Sequence, residues 1–221
     1  MRRLKLHSII SIVGKSEAGK TTLLESLIVE LKQRGCKVAI IKHASEDLEL
    51  DEVGKDSWRL SQVGSEVTAV SSPEKLVIIK PIKQALSLPE LSRFIVGDYD
   101  LILTEGFKRS STPKIEVHRK EQGDKLLCPP QQLLAVVTDE PFDIDVPQFT
   151  KDEIQGLADL IENKQSAQSG EDKINLFVND APIPLSPFLS SFLAKTLLGM
   201  TSTLKGVKEV TSLRISLRRK A

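Results

Sequence analysis

The chain has 221 residues, 40% of them apolar and 28% charged, enough for one large domain or one domain with a small appendage. Thirty-one basic against thirty acidic residues leave a formal charge of +1, which argues against a bulk electrostatic partner such as DNA. The two cysteines, Cys36 and Cys128, stand far apart in no metal-ligand spacing, and no stretch approaches the roughly 20 apolar residues of a membrane span. The start, Met1-Arg2-Arg3-Leu4-Lys5 before Ile9 to Val13, superficially looks like a signal peptide. Its apolar run is short, however, and leads into glycine and charge rather than a small-residue cleavage site. A cytoplasmic location is the expectation.

Ile9 to Val13 is β-branched and continuously apolar, as a strand buried on both faces should be. From Lys20, Leu23, Leu24, Leu27, Ile28 and Leu31 recur at helical spacing until Gly35 stops the helix. Lys37 to Lys42 reads as a second strand, which completes a βαβ unit. Further strands are expected at Glu66–Val70, Leu76–Lys80, Leu101–Thr104, Ile115–His118 and Leu133–Thr138. Helical stretches fall at Leu88–Ile95 and Asp152–Glu162. The alternation of Ile115 and Val117 with charges suggests an antiparallel edge hairpin over Lys114 to Lys120. The fold class is α/β: a three-layer sandwich with a mostly parallel sheet, of the P-loop NTPase type once the loop below is considered.

Asn163 to Asp172 turns polar and aperiodic and reads as a linker. The expected division is 1–165 as nucleotide-binding domain, 166–172 as linker, and 173–221 as a small α+β C-terminal module. In that module Ile174–Val178 and Ile183–Leu185 read as strands around an Asn179-Asp180 turn. Phe188, Leu189, Phe192, Leu193, Leu197, Met200 and Leu204 form a helix face, and Leu213, Ile215 and Leu217 a final half-exposed strand. About fifty residues with one helix make a marginal core alone.

Between the first strand and helix lies Gly14-Lys15-Ser16-Glu17-Ala18-Gly19-Lys20-Thr21-Thr22, which fits GxxxxGK[ST] at every fixed position. Glycines let the backbone turn and aim its N–H groups at an anion, and the helix N-terminus adds donors and a favourable dipole. Lys20 supplies charge to β- and γ-phosphates, and Thr21 a hydroxyl ligand for Mg²⁺. The metal also needs a carboxylate at a nearby strand end, and Glu105 ends Asp100-Leu101-Ile102-Leu103-Thr104 just before Gly106. Asp100 should lie at the opposite end of that strand.

Ile41-Lys42-His43 leaves the second strand into an acidic loop, Glu46 to Glu52, followed by Gly54-Lys55-Asp56-Ser57 and a short helix with Trp58 and Arg59. Ligands collect at the C-terminal ends of strands in such sheets. Lys42 and His43 can meet phosphate or substrate there, Asp51 can help hold Mg²⁺, and Lys55 with Arg59 can bind an anion. Each reads equally well as a solvated loop charge. Asp139, at the end of the Leu133–Thr138 strand, can accept from guanine N1 and N2, or can simply end a strand in a turn.

The P-loop, IKHxxxDxxxD (Ile41 to Asp51), GKDSxR (Gly54 to Arg59) and TEGFK (Thr104 to Lys108) together resemble the molybdopterin-guanine dinucleotide biosynthesis protein B (MobB) family. The resemblance runs from about Ile9 to Glu162 and leaves the C-terminal module outside. It implies a GTP-binding, weakly hydrolysing homodimer that assists a guanylyltransferase in attaching GMP to molybdopterin. It also supports Gly14, Gly19, Lys20, Thr21, Lys42, His43, Asp51, Gly54, Lys55, Asp56, Ser57, Glu105, Gly106 and Lys108 as site residues. A further histidine that many members carry is absent, since Ala44, Ser45 and Glu46 occupy its neighbourhood.

The expected catalytic residues are Lys20 and Glu105, and the expected ligands GTP and Mg²⁺. Hydrolysis should be slow, because no arginine finger or water-positioning glutamine follows Glu105. The alternative is a small-molecule kinase in which Arg59, Lys108 and Arg109 clamp an anionic acceptor. The basic end, Arg214 to Lys220, reads as a solvated strand face rather than a nucleic-acid patch.

Overall fold

The structure, a computed structural model, describes residues 8–44, 52–95, 97, 99–167, 174, 176–178, 181–183, 185–206, 210, 213 and 215. The chain divides into two compact units, Met1–Ile40 with Gly97–Ala221, and Ile41–Val96. In chain order the elements begin with β1 (Ser8–Val13), α1 (Lys20–Gln33), β2 (Val38–Lys42), α2 (Asp56–Gln62), β3 (Thr68–Ser71), β4 (Leu76–Ile79) and α3 (Leu88–Ser92). They continue with β5 (Leu101–Glu105), β6 (Lys114–Val117), β7 (Leu133–Val137), β8 (Gln148–Phe149) and α4 (Ile154–Ala167). The last are β9 (Leu176–Val178), β10 (Ala181–Ile183) and α5 (Pro187–Ser202).

The sheet runs β2-β5-β1-β6-β7-β8, and β1 pairs in parallel with β5 on one side and β6 on the other. The pairs β6–β7 and β7–β8 are parallel too. Alternate residues explain why one face is apolar. Ile10, Ile12, Leu101, Leu103, Ile115, Val117, Ala135 and Val137 join Leu23, Leu24, Leu27 and Leu31 of α1 in one cluster. Leu157, Ala158 and Ile161 of α4 complete it. Each large side chain buried there contributes about 1.5–3 kcal/mol. At the end of α1, Arg34 bridges to α4 through Asp159 (2.5 Å) and Glu162 (2.9 Å) while bonding Glu30 (2.6 Å). The helix α4 runs on through Ala167, past the start of the polar stretch expected to be a linker. Gln165 explains the extension: it is buried, one turn beyond Ile161, and its Nε2 donates to the Asp100 carbonyl at 3.4 Å.

The segment from Lys114 is not an antiparallel edge hairpin. It forms β6, a parallel strand inside the sheet, with all four residues buried. The charges that suggested a solvent face are satisfied by loops. Lys114 Nζ donates to the carbonyls of Ser110 (2.6 Å) and Thr112 (3.2 Å) and to Gln132 Oε1 (3.1 Å). The Glu116 carboxylate accepts from the amides of Leu127 (2.6 Å) and Cys128 (3.0 Å). Ser11, Thr104 and Thr112 link hydroxyls beside them at 3.0 and 2.7 Å. This face of the sheet therefore buries a polar network beside the apolar Val13, Ile102 and Val136, and its bonds offset the cost of burying charge.

In the second unit, β3 and β4 form a separate antiparallel pair with α2 against β3, so these two strands stand outside the parallel sheet. The α3 helix starts at a capping box of Ser87 and Glu90 and is shorter than the Leu88–Ile95 expected. Of the C-terminal stretch, β9 and β10 pair antiparallel, and Ser186 Oγ caps α5 by accepting from Leu189 N at 3.3 Å. Phe188 and Phe192 stack on α5 while remaining 76% and 54% exposed. Leu213 and Ile215, expected in a final strand, adopt no regular structure, and Arg214, Ser216, Leu217 and Arg218 to Lys220 lie outside the described residues.

Candidate functional site

The phosphate loop joins β1 to α1 at the sheet's C-terminal edge. Its conformation depends on left-handed backbone at Gly19 (φ 93°) and at Glu17 (φ 61°), a position where a side chain is normally disfavoured. A Cβ on Gly14 would collide with the Val117 carbonyl oxygen of β6. Gly19 is the N-cap of α1 and no side chain caps this helix end, so its first amides are left for an anion. Lys20 Nζ donates back to the Lys15 carbonyl at 2.7 Å, within the same loop. Ala18 is fully buried, while Lys15, Ser16 and Glu17 are exposed.

Strand register brings in the carboxylate. Ile12 pairs with Glu105, so the end of β5 stands beside the last turn of β1. Thr21 Oγ1 donates to both carboxylate oxygens of Glu105, each at 3.3 Å. A hydroxyl and a carboxylate converging at one helix N-terminus are hard oxygen donors. They fit Mg²⁺, which keeps several waters and takes few protein ligands beside phosphate oxygens. Gly106 (φ 97°) and Phe107 (φ 55°) turn the chain sharply away after Glu105, and Lys108 beyond them is exposed. Asp100 accepts from Lys37 N at 2.8 Å, at the far end of β5 as expected.

The segment after β6 is laced to the phosphate loop, and the sequence reading missed it. Arg119 Nε donates to the Ala18 carbonyl at 3.2 Å, and Gln122 Nε2 to the Ser16 carbonyl at 2.7 Å. Lys15 Nζ donates to the Gln122 carbonyl. Asp139, just past β7, accepts from Lys120 N at 3.0 Å and faces Arg119 with its other oxygen at 4.0 Å. The Lys120 amide holds the Asp139 carboxyl below its usual range. His118 is buried against Phe142, rings edge-on at 4.8 Å, with neither ring nitrogen partnered. The signal for this group was the run His118-Arg119-Lys120. It points to the site only once β6 is recognised as a parallel strand ending beside β1.

Of the other expected site residues, Lys42 ends β2, His43 follows it, and both are exposed. In the second unit Lys55 precedes α2 and pairs with Glu52 at 2.9 Å, and Asp56 pairs with Arg59 at 3.6 Å. Ser57 is half-buried, and Gly54 is exposed with φ 93°. Asp51, with residues 45–50, lies outside the described residues.

Residues 9–139, which span the phosphate loop, Glu105 and Asp139, match the family Molybdopterin guanine dinucleotide synthesis protein B. The chain belongs to that family. A molybdopterin-guanine dinucleotide biosynthesis adapter protein of Haemophilus influenzae is 39% identical over 156 residues, 70% of this chain and 88% of the relative. The crystal structure of Bacillus subtilis MobB superposes with a TM-score of 0.56 at 26% identity, covering 71% of this chain and 97% of that one. A putative adapter protein of Methanocaldococcus jannaschii is 28% identical and covers 95% of this chain and 97% of itself. The C-terminal stretch thus falls largely outside the first two matches and within the third. No helix among the described residues is long and apolar enough to cross a membrane.

Proposed function

We propose that this protein is a cytoplasmic GTP-binding adapter in molybdopterin-guanine dinucleotide biosynthesis, presenting nucleotide to a guanylyltransferase with weak hydrolysis of its own. The observation that carries the reading is the convergence of an uncapped helix N-terminus, Lys20 and the Thr21–Glu105 pair on one loop. Thr21 and Glu105 would hold Mg²⁺, and the metal would neutralise phosphate charge. On their motif positions in the sequence alone, Asp51 is proposed as a metal ligand and Lys42, His43 and Lys55 as nucleotide contacts.

Glu105→Gln keeps the side chain's shape and removes its charge. The gain in GTP affinity on adding Mg²⁺ should fall roughly tenfold in calorimetry. An undiminished Mg²⁺ effect would remove Glu105 from the metal site. Asp139 supplies the base choice in this reading. Each carboxylate oxygen has two lone pairs, so Oδ1 can keep the Lys120 amide and still accept from guanine. Asp139→Ala should therefore shrink the preference for GTP over ATP by at least about 10–100-fold, the worth of one hydrogen bond to a charge. Unchanged preference would sink the guanine contact. The proposal includes a homodimer, which light scattering would report as twice the 24.4 kDa chain mass, and a monomer at working concentration would contradict it. Val70, Leu76 and Ile78 of the β3–β4 hairpin are exposed and supply apolar surface for such an assembly.

A further inference from the structure

Arg119 ties two parts of the site together, and neither the phosphate-loop pattern nor the metal site needs it. Its Nε is fixed on the Ala18 carbonyl, 3.2 Å away. One terminal nitrogen faces Asp139 Oδ2 at 4.0 Å, beyond hydrogen-bond length. The other lies 3.2 Å from where a Cβ on Gly19 would stand, so the guanidinium passes over the first residue of the loop-to-helix turn. The side chain is 26% exposed and Asp139 45%, so both present surface to a ligand.

The sheet order says which part of a nucleotide reaches them. Glu105 and Thr21 lie on the β5 side of β1, where they would hold a metal that neutralises charge on the terminal phosphates. Phosphates laid along the N-terminus of α1 from that metal would then direct the nucleoside toward the opposite side of β1, where β6 and β7 end. Arg119 follows β6 and Asp139 follows β7. A planar cation held by a main-chain carbonyl keeps its plane in place, and a guanidinium can lie flat on an aromatic ring, a stacking geometry that a compact ammonium lacks.

We propose that Arg119 is the platform on which the purine base of the bound nucleotide stacks, placing the edge of that base against Asp139. The assignment rests on the nucleotide-binding reading above and adds a specificity-determining residue to it. Arg119 thereby couples base recognition to the phosphate loop through Ala18.

The test compares GTP with inorganic tripolyphosphate, which has the phosphates and no base, by calorimetry on the full chain with Mg²⁺. Arg119→Ala should weaken GTP about tenfold and leave tripolyphosphate within about twofold. Arg119→Lys keeps charge and loses the plane, so it should follow the alanine variant for both ligands. It also carries the comparison if the alanine variant fails to melt cooperatively. Equal losses for the two ligands would make Arg119 a phosphate contact or loop brace and overturn the proposal. So would no loss for either ligand. If wild type bound neither ligand, the nucleotide reading itself would fall, and the platform with it.

Discussion

Lys20→Ala should abolish measurable GTP binding at concentrations that saturate the wild type. The ammonium donates to the Lys15 carbonyl at 2.7 Å and so already lies within the loop. A bound triphosphate would exchange that neutral acceptor for charged oxygens. Hydrogen bonds to charged groups contribute about 1.5–3 kcal/mol each, so losing one costs roughly 10–100-fold and losing two costs more. Folding should be spared, because among the described residues the Lys20 side chain makes one exposed hydrogen bond, to a carbonyl. The expected result is a wild-type melting curve with no calorimetric heat on GTP addition. A variant that binds GTP as well as wild type would mean that the loop does not hold the phosphates.

Gly14→Ala should damage fold and site together. The new Cβ would press into the Val117 carbonyl oxygen, with Ala18 Cβ 3.4 Å away on the other side. Val117 belongs to β6, held between β1 and β7, so its backbone has little room to retreat. The φ of +155° also favours glycine here. Overpacking of this kind costs about 1–3 kcal/mol, a fall of several degrees in Tm for a chain of this size. If the strand holds, the loop must move instead, and its amides leave the positions that face the phosphates. Thermal melting and GTP titration should therefore both shift. Wild-type values in both would show that the loop has slack the structure does not display.

These two residues were legible in the sequence because their constraints are local. A buried strand, a glycine turn and a helix start occupy Ser8 to Gln33 without a break, and spacing alone identifies them. Glu105 was legible for a similar reason: an apolar run ends in a carboxylate followed by glycine. The strand at Ile115–His118 was expected as well, but its place inside the parallel sheet was not. Lys114 and Glu116 alternate with apolar residues as a solvent-facing strand would, yet both are fully or almost fully buried. Their partners, Gln132, Leu127 and Cys128, come from loops that only the folded chain brings back over the sheet.

Arg119 was lost with that strand. Once its strand is placed at the sheet edge, its side chain reads as one more surface cation. The helix α4 was under-read for a related reason, since a buried position near its end is filled by Gln165, which no hydrophobic period detects. In each case the residue is polar and wholly or partly buried, and its partner lies outside its own element. The apolar core, by contrast, was readable almost residue by residue.

The central claim is that the loop between β1 and α1 holds GTP with Mg²⁺ and that the ends of β6 and β7 select guanine. Calorimetric titration of the wild-type chain with GTP and with ATP, each with Mg²⁺ and with a chelator, tests it most directly. GTP should bind in a Mg²⁺-dependent way and ATP at least about tenfold more weakly. Equal affinities, or no GTP binding at all, would contradict it.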